Sequence, residues 1–209
     1  MKNLLLSSFL AFFLSACSFG HYKRLSPATA DSTSLHSIFG DHFNSFLFKT
    51  NIHIYGRDFS GLLVTKQLKP SDYRVIFTTE LGMKLFDFEF TDSAFTVQYC
   101  VPQFNRPALL KTIQQDIEII LMTRLKNQPL QAFTDKQNEH LVVRQAVGKF
   151  SNYYFTDKKN KQLVKIEHAK GQLKKTTFDL SNYSEDIPGL IQIQHHDLKL
   201  KIELALLKK

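Results

Sequence analysis

The stretch Lys84-Leu85-Phe86-Asp87-Phe88-Glu89-Phe90 carries the clearest alternation of apolar and charged residues in the chain. Successive side chains of a β-strand point to opposite faces of a sheet, so this period of two predicts a strand with a row of Phe on its buried face. Asp87 and Glu89 would share the other face, where we expect solvent rather than a catalytic carboxylate pair. The Phe row fits a closed core and the wall of a cavity equally well.

The alternation extends to both sides of this strand. Residues 48–54, 60–66, 73–78 and 95–101 have the same pattern, and turn-forming residues separate them. The result is an antiparallel meander of about five strands. If the sheet encloses a cavity, its predicted lining is Ile52, Ile54, Leu62, Val64, Val75, Phe77, Phe86, Phe88, Phe90, Phe95, Val97 and Tyr99.

One long helix is predicted after the fifth strand, over about 106–124. Asn105 can cap it and Pro107 falls in its first turn. Its apolar residues recur at steps of three and four. Asp116 and Glu118 are two residues apart and point to different sides, so we expect them on a solvated face.

Six further strands are predicted at 140–147, 149–156, 161–168, 174–180, 190–195 and 198–207. Antiparallel strands this numerous must curl or close to limit their exposed edges. The fold class is therefore mainly β: a half-open antiparallel β-barrel of about eleven strands, with one main helix packed against it.

The N-terminus carries a predicted targeting signal for the cell envelope. Lys2 and an apolar run precede Leu14-Ser15-Ala16-Cys17, a pattern that resembles the lipobox of bacterial lipoproteins. The apolar run is about 11 residues, short of the roughly 20 that span a bilayer. An ordinary cleaved signal or a buried helix remains as an alternative. Ser18, in place of Asp, favours the outer membrane under proteobacterial sorting rules.

These observations divide the chain into a signal peptide (1–16), a lipidated N-terminus with a flexible tether (17–42) and a barrel domain (43–209). Cys17 is the predicted lipid attachment site. A tether of roughly 25 residues would reach at most about 80–90 Å.

The composition agrees with an exported, core-stabilised domain. The chain has 2 cysteines; once Cys17 carries lipid, Cys100 has no partner for an intramolecular disulfide. The formal net charge of +8 attracts anions such as phospholipid headgroups, or simply keeps the domain soluble. Nucleic acid is not an expected partner of an exported lipoprotein.

Catalytic motifs are not found in the sequence: it lacks a phosphate-binding Gly loop, a nucleophile elbow and a His-Glu-x-x-His helix. His195-His196-Asp197 could suggest a metal, but adjacent strand residues point to opposite faces, which favours a turn. We predict no enzyme activity, no metal and no cofactor.

The lipobox, the meander, the helix and the later strands together resemble the LolA/LolB superfamily of lipoprotein carriers and receptors. The resemblance implies a half-open barrel whose apolar cavity holds acyl chains. LolB-type receptors also use a protruding apolar loop, for which Thr79 to Met83 is the candidate; the absence of Trp is a departure from LolB-type strands.

The resulting hypothesis is a monomeric, non-enzymatic, membrane-anchored protein that binds lipid or lipoprotein acyl chains. It would face the periplasm from the outer membrane. The alternative is a structural lipoprotein that docks an envelope protein partner.

Overall fold

The computed structural model describes residues 21–28, 35, 37–40, 43–123, 125 and 129–208. The predicted signal peptide and Cys17 lie outside these residues. The strands are β1 (Ser26–Pro27), β2 (Ser45–Ile54), β3 (Arg57–Lys69), β4 (Asp72–Thr78), β5 (Lys84–Phe90), β6 (Phe95–Cys100), β7 (Leu130–Thr134), β8 (His140–Val147), β9 (Phe150–Asp157), β10 (Leu163–Lys170), β11 (Leu173–Ser181), β12 (Leu190–His195) and β13 (Leu200–Lys208).

All strands belong to one antiparallel sheet of 13 strands, in the order β1-β7-β8-β9-β10-β11-β12-β13-β2-β3-β4-β5-β6. The sheet curls without closing, so β1 and β6 are its edges. This confirms the predicted half-open antiparallel sheet with one helix. The two strands that sequence reasoning did not predict are β1 and β7, which are short and lack a clear alternation.

Helix α1 (Pro107–Ile120) follows the fifth strand of the predicted meander and lies on the concave side of the sheet. Its N-cap is Arg106, which makes no side-chain capping bond, so the predicted cap at Asn105 is not used. The helix ends earlier than predicted, because Leu121 is its C-cap and Met122 adopts a positive φ of 53°. Among the described residues, no helix is long and apolar enough to cross a bilayer.

The main core fills the space between α1 and the concave face. Phenylalanine rings dominate it: Phe86 stacks on Phe88 at 4.4 Å between centroids and contacts Phe77 at 5.4 Å. Burial of such rings is the main stabilising term of this core.

A second, smaller core lies on the convex face. Residues 21–28, which we call the strap, cross the outer side of the sheet: His21–Arg24 form a 3₁₀ helix and β1 pairs with β7. Tyr22 stacks on Tyr153 with centroids 4.0 Å apart and parallel planes. The strap falls inside the interval predicted as a flexible tether, yet it packs on the sheet. The domain boundaries at 16 and 42 stay predictions.

Candidate functional site

The candidate site is the space between α1 and the concave face of the sheet. Along one flank of the helix, apolar side chains enclose a cavity of about 40 Å³. Its lining is Phe39, Phe48, Thr50, Ile52, Leu63, Thr65, Val75, Phe86, Asp116, Ile117, Ile120, Leu121, Ile193, Ile202 and Leu204. A volume this small holds little more than one water molecule.

The structure places seven of the predicted lining residues in this core. Three line the cavity itself, and the other four are buried around it in the same cluster. The residues that line the cavity are Ile52, Val75 and Phe86. The residues buried around it are Ile54, Phe77, Phe88 and Phe90. The Phe row is therefore packed core while α1 is in place.

Leu62 and Val64 require a correction, because both face outward. Leu62 pairs with Lys49 on β2, and Lys49 is exposed on the convex face. Leu63 and Thr65 occupy the inward positions and line the cavity. Since residues 62–64 are all apolar, the sequence alone could not fix which set points inward; the register with β2 and β4 decides it.

The predictions for β6 are corrected in part. Phe95 is half-buried and packs against the core. Val97 lies opposite Phe88 on the concave side, but it is 38% exposed because β6 is an edge. Tyr99 lies opposite Asp87 on the convex side, because the register shifts by one residue between Asp87 and Phe88.

The other flank of α1 borders a second cavity of about 210 Å³, in which eight of the twelve lining residues carry a polar side-chain group. Its walls come from α1 and strands β8, β9 and β10: Lys111, Gln114, Gln115, Glu118, Ile119, Met122, Gln145, Val147, Phe150, Asn152, Tyr154 and His168. One helix thus separates an apolar space from a polar one.

A directed hydrogen-bond network organises the polar cavity. The Gln115 amide lies 2.7 Å from Nε2 of His168, and His168 Nδ1 lies 2.7 Å from the Asn152 carbonyl oxygen. The amide of Asn152 and the hydroxyl of Tyr154 both donate to Oε1 of Gln145, at 3.2 Å each. The partners assign His168 as the neutral tautomer with its proton on Nδ1. Burial, reinforced by the nearby His195, lowers the pKa of His168 to about 4.

Asp116 and His195 tie the middle of α1 to the sheet. Nε2 of His195 lies 2.9 Å from the Asp116 carboxylate, and Nδ1 lies 3.1 Å from the Thr176 hydroxyl. Both side chains are almost completely buried. Burial raises the pKa of Asp116, against the opposing bond from His195. The prediction of a solvated Asp116 is therefore wrong, and His195 ends β12 pointing inward rather than lying in a turn.

Asp87 is also buried, although it lies on the convex face as predicted. Only 1% of its side chain is exposed, because Arg74 bonds it with two nitrogens at 2.9 and 3.0 Å and Lys84 covers it at 2.6 Å. The Arg74 hydrogen bonds hold the pKa of Asp87 below its ordinary range. The expectation of a solvated carboxylate was wrong because long basic side chains on the same face extend over it.

The loop from Thr79 to Met83 protrudes between β4 and β5. Backbone bonds between residues 79 and 83 close it, and Gly82 supplies the positive φ of 83° that the turn requires. Leu81 at its tip is 97% exposed. Leu81 is the most exposed of the large apolar side chains in the described part of the chain.

Three potential metal ligands, on Asp135, Glu139 and His140, lie within 4.8 Å of one another. The Asp135 carboxylate already accepts the backbone N–H of Glu139 and of His140, and it lies 2.7 Å from His140 Nδ1. These bonds explain the cluster as the closing device of the β7–β8 turn.

Sequence reasoning missed the polar network and the Asp116–His195 pair. Within the predicted strand 149–156, Phe150, Asn152 and Tyr154 share one face, so the alternation could have indicated Asn152 as an inward polar residue. No local pattern connects Asp116 to a histidine 79 positions away in the chain.

No protein-family model matches the sequence, and no curated protein matches it. Solved structures do match. A LolA superfamily protein from Nitrosomonas europaea superposes with a TM-score of 0.54 at 11% identity, over 87% of this chain and 93% of that chain. A DUF1329 family protein from Desulfovibrio piger gives 0.50 at 5% identity, over 80% and 85%. An outer membrane lipoprotein-sorting protein domain from Vibrio parahaemolyticus gives 0.49 at 6% identity, over 80% and 85%. The topology and the match to the LolA superfamily protein give the chain the half-open sheet and covering helix of the LolA-like architecture.

Proposed function

We propose that the protein is a non-enzymatic, membrane-anchored binding protein for the acyl chains of a lipid or lipoprotein, held in the outer membrane by acylated Cys17 and facing the periplasm. The observation that carries the proposal is the apolar seam between α1 and the concave sheet. The LolA-like architecture and the lipobox-like segment support the same function.

The cavity in the seam is too small for an acyl chain, so binding requires α1 to move away from the sheet. Each methylene that enters the apolar space gains about 0.8 kcal/mol. A chain of about 14 methylenes would gain roughly 11 kcal/mol on that scale. That gain offsets the separation of α1 from the sheet, which breaks the contacts of Asp116 and Gln115 with the two histidines.

The exposed tip of the 79–83 loop supports a role in transfer. Leu81 would enter the acyl region of a bilayer while the loop backbone stays closed on itself. A receptor that delivers acyl chains into a membrane needs such a contact, as the LolB-type resemblance implies.

The test is binding of a fluorescent fatty acyl probe to the full chain, together with mass spectrometry of lipids that co-purify. Ile117 lines the apolar cavity from α1, so Ile117→Trp fills the seam and should weaken probe binding at least tenfold. Gln114 lines the polar cavity, so the matched Gln114→Trp should change probe binding less than threefold. Equal effects of the two variants, in proteins with unchanged circular dichroism, would count against the seam as the acyl site.

A second candidate function is a structural lipoprotein that docks an envelope partner through strand β6. This strand is an edge of the sheet, and both Val97 and Tyr99 are exposed along it. Edge strands recruit partner strands through their unpaired backbone groups. Purification in mild detergent separates the candidates: a stoichiometric protein without bound lipid favours docking, and bound lipid without a partner favours carriage.

A further inference from the structure

The two ends of the sheet differ in what they expose. Connections between successive antiparallel strands lie alternately at the two ends. One end, which we call the strap end, therefore collects the connections at 55–56, 79–83, 148–149, 171–172 and 196–199. A hydrogen bond from Tyr55 N–H to the Lys199 carbonyl, at 3.1 Å, joins the first and last of these.

Exposed large apolar side chains concentrate at the strap end. Tyr55, Met83 and Leu173 are 53%, 61% and 59% exposed, in addition to Leu81 on its loop. At the opposite end the exposed large apolar residues of the described chain are Leu68 and Leu207. Exposed apolar side chains grouped on one rim indicate an interaction surface.

The strap end is also the more basic end. Its connections and their flanks carry Arg57, Lys149, Lys170 and Lys199. Lys84 and Lys174 also lie there, paired with the buried Asp87 and Glu167. Its acidic residues each have a basic or histidine partner: Asp58 with His53, Glu80 with Lys49 and Asp197 with Lys175. The connections at the opposite end mix their lysines with Asp72, Asp92, Asp135, Glu139, Glu185 and Asp186. Basic and apolar residues on one rim fit an anionic lipid surface.

The strap places Tyr22 beside the strap end. The backbone N–H of Tyr22 donates to Gln172 Oε1 at 3.1 Å, and Gln172 lies in a connection of the strap end. The Tyr22 hydroxyl donates to the buried Glu167 at 3.0 Å, while Lys174 bonds the other oxygen of that carboxylate at 2.5 Å. β1 itself runs back from Pro27 to Ser26 toward the opposite end, since Ser26 pairs with Thr134. The bond to Gln172 nevertheless brings Tyr22 beside the strap end.

The distance from this point to the lipid is short. Cys17 precedes Tyr22 by four intervening residues, which span at most about 18 Å when fully extended. A tether starting at residue 43 would allow several times that distance. We infer that the strap keeps the sheet close to the acylated Cys17, so that the strap end rests on an anionic lipid bilayer. This inference rests on acylation of Cys17, which is part of the proposed function.

The first experiment locates the end that touches the membrane. The acylated chain, with Cys100→Ser, carries a bimane label at Leu173→Cys on the strap end or at Leu68→Cys on the opposite end. It is reconstituted in vesicles of phosphatidylethanolamine and phosphatidylglycerol that contain nitroxide-headgroup lipid. We expect at least threefold stronger quenching at position 173 than at position 68. In the Tyr22→Ala variant, the quenching at the two positions should become similar. Equal quenching in the parent protein, or stronger quenching at position 68, would overturn the inference.

A second experiment does not need the acyl group. The chain with Cys17→Ala is sedimented with the same anionic vesicles. Lys149→Glu with Lys199→Glu reverses charge at the strap end and should weaken binding more than tenfold. The matched pair Lys69→Glu with Lys159→Glu, at the opposite end, should weaken it less than threefold, and the reverse order would refute the orientation. If the chain with Cys17 intact does not float with vesicles in the first experiment, the proposed anchor is refuted. The second experiment, which does not use the anchor, would still decide which end binds lipid.

Discussion

Asp116 and Asp87 are carboxylates on the two sides of the same sheet, and both are shielded from water, but their partners differ. Asp116, on the concave side, contacts the imidazole ring of His195, which is itself buried. Asp87, on the convex side, meets the cations of Arg74 and Lys84, whose side chains are 41% and 42% exposed. Burial raises the pKa of Asp116, whereas the bonds from Arg74 lower the pKa of Asp87.

The difference teaches how each side tolerates a buried acid. On the convex side, the cations keep their own hydration and cover the carboxylate from outside. On the concave side no solvent reaches the group, so hydrogen bonding must satisfy it. The concave pair therefore holds α1 in place, while the convex cluster pins only neighbouring strands.

The largest expected effect comes from breaking the concave pair. Asp116→Ala leaves His195 and Thr176 buried beside an empty space, and loss of one partner of a buried pair costs about 3–5 kcal/mol. Urea denaturation at pH 7 measures the free energy of unfolding. Glu118→Ala, two positions along the same helix, is the control and should cost less than about 1 kcal/mol. Similar losses in both variants would mean that the pair does not anchor α1.

An intermediate effect is expected from acidification, through His168. Its native pKa of about 4 lies below the ordinary 6.5, so the unfolded chain binds a proton that the native one excludes. Stability from this group is complete above pH 6.5 and is lost as the pH falls toward 4, by up to about 3 kcal/mol.

Urea midpoints between pH 7 and pH 4.5 test this effect. His168→Gln, which keeps hydrogen-bonding capacity but cannot titrate, should flatten the slope. Asp197 raises the pKa of His168 against the effect of burial. Asp197→Asn should therefore keep the slope or make it steeper, and it serves as the control. An unchanged slope in His168→Gln would assign the acid sensitivity to other groups.

The smallest effect is expected on the convex side. Asp87→Asn keeps the size of the side chain, and the exposed cations regain water, so we expect a loss of about 1–2 kcal/mol. Because the native pKa of Asp87 lies below its ordinary value, this contribution is present above about pH 4 and disappears only below it. Comparison of the urea midpoints of wild type and variant at pH 5 and pH 3 checks both statements. Glu89→Gln, on the same face, is the control; a loss at Asp87 as large as that at Asp116 would erase the contrast between the two sides.

Much of the fold could be predicted from alternation, because a strand with one solvent-exposed face carries apolar side chains at every second residue. The Phe row of β5 and the strands from 140 onward were predicted in this way. Alternation failed where both faces are apolar, as at residues 62–64, and at β6, where a register shift turns Tyr99 outward. It also could not detect β1, whose two residues acquire a strand geometry only by pairing with β7.

The candidate site was predictable only in its apolar half. The sequence predicted an amphipathic helix over a curved apolar sheet, and the structure places α1 there. The polar half depends on contacts between residues far apart in the chain, such as Gln115 with His168. The local sequence around Asp116 does not distinguish a carboxylate on a solvated helix face from one in a buried pair.

The sequence by itself determined most of the strand pattern and helix α1, because each depends on residues that are neighbours in the chain. Only the tertiary structure decided which side chains face inward, which acids are buried and where the N-terminal strap is fixed. These depend on register and on long-range pairing, and their free energies arise only when distant residues exclude water together.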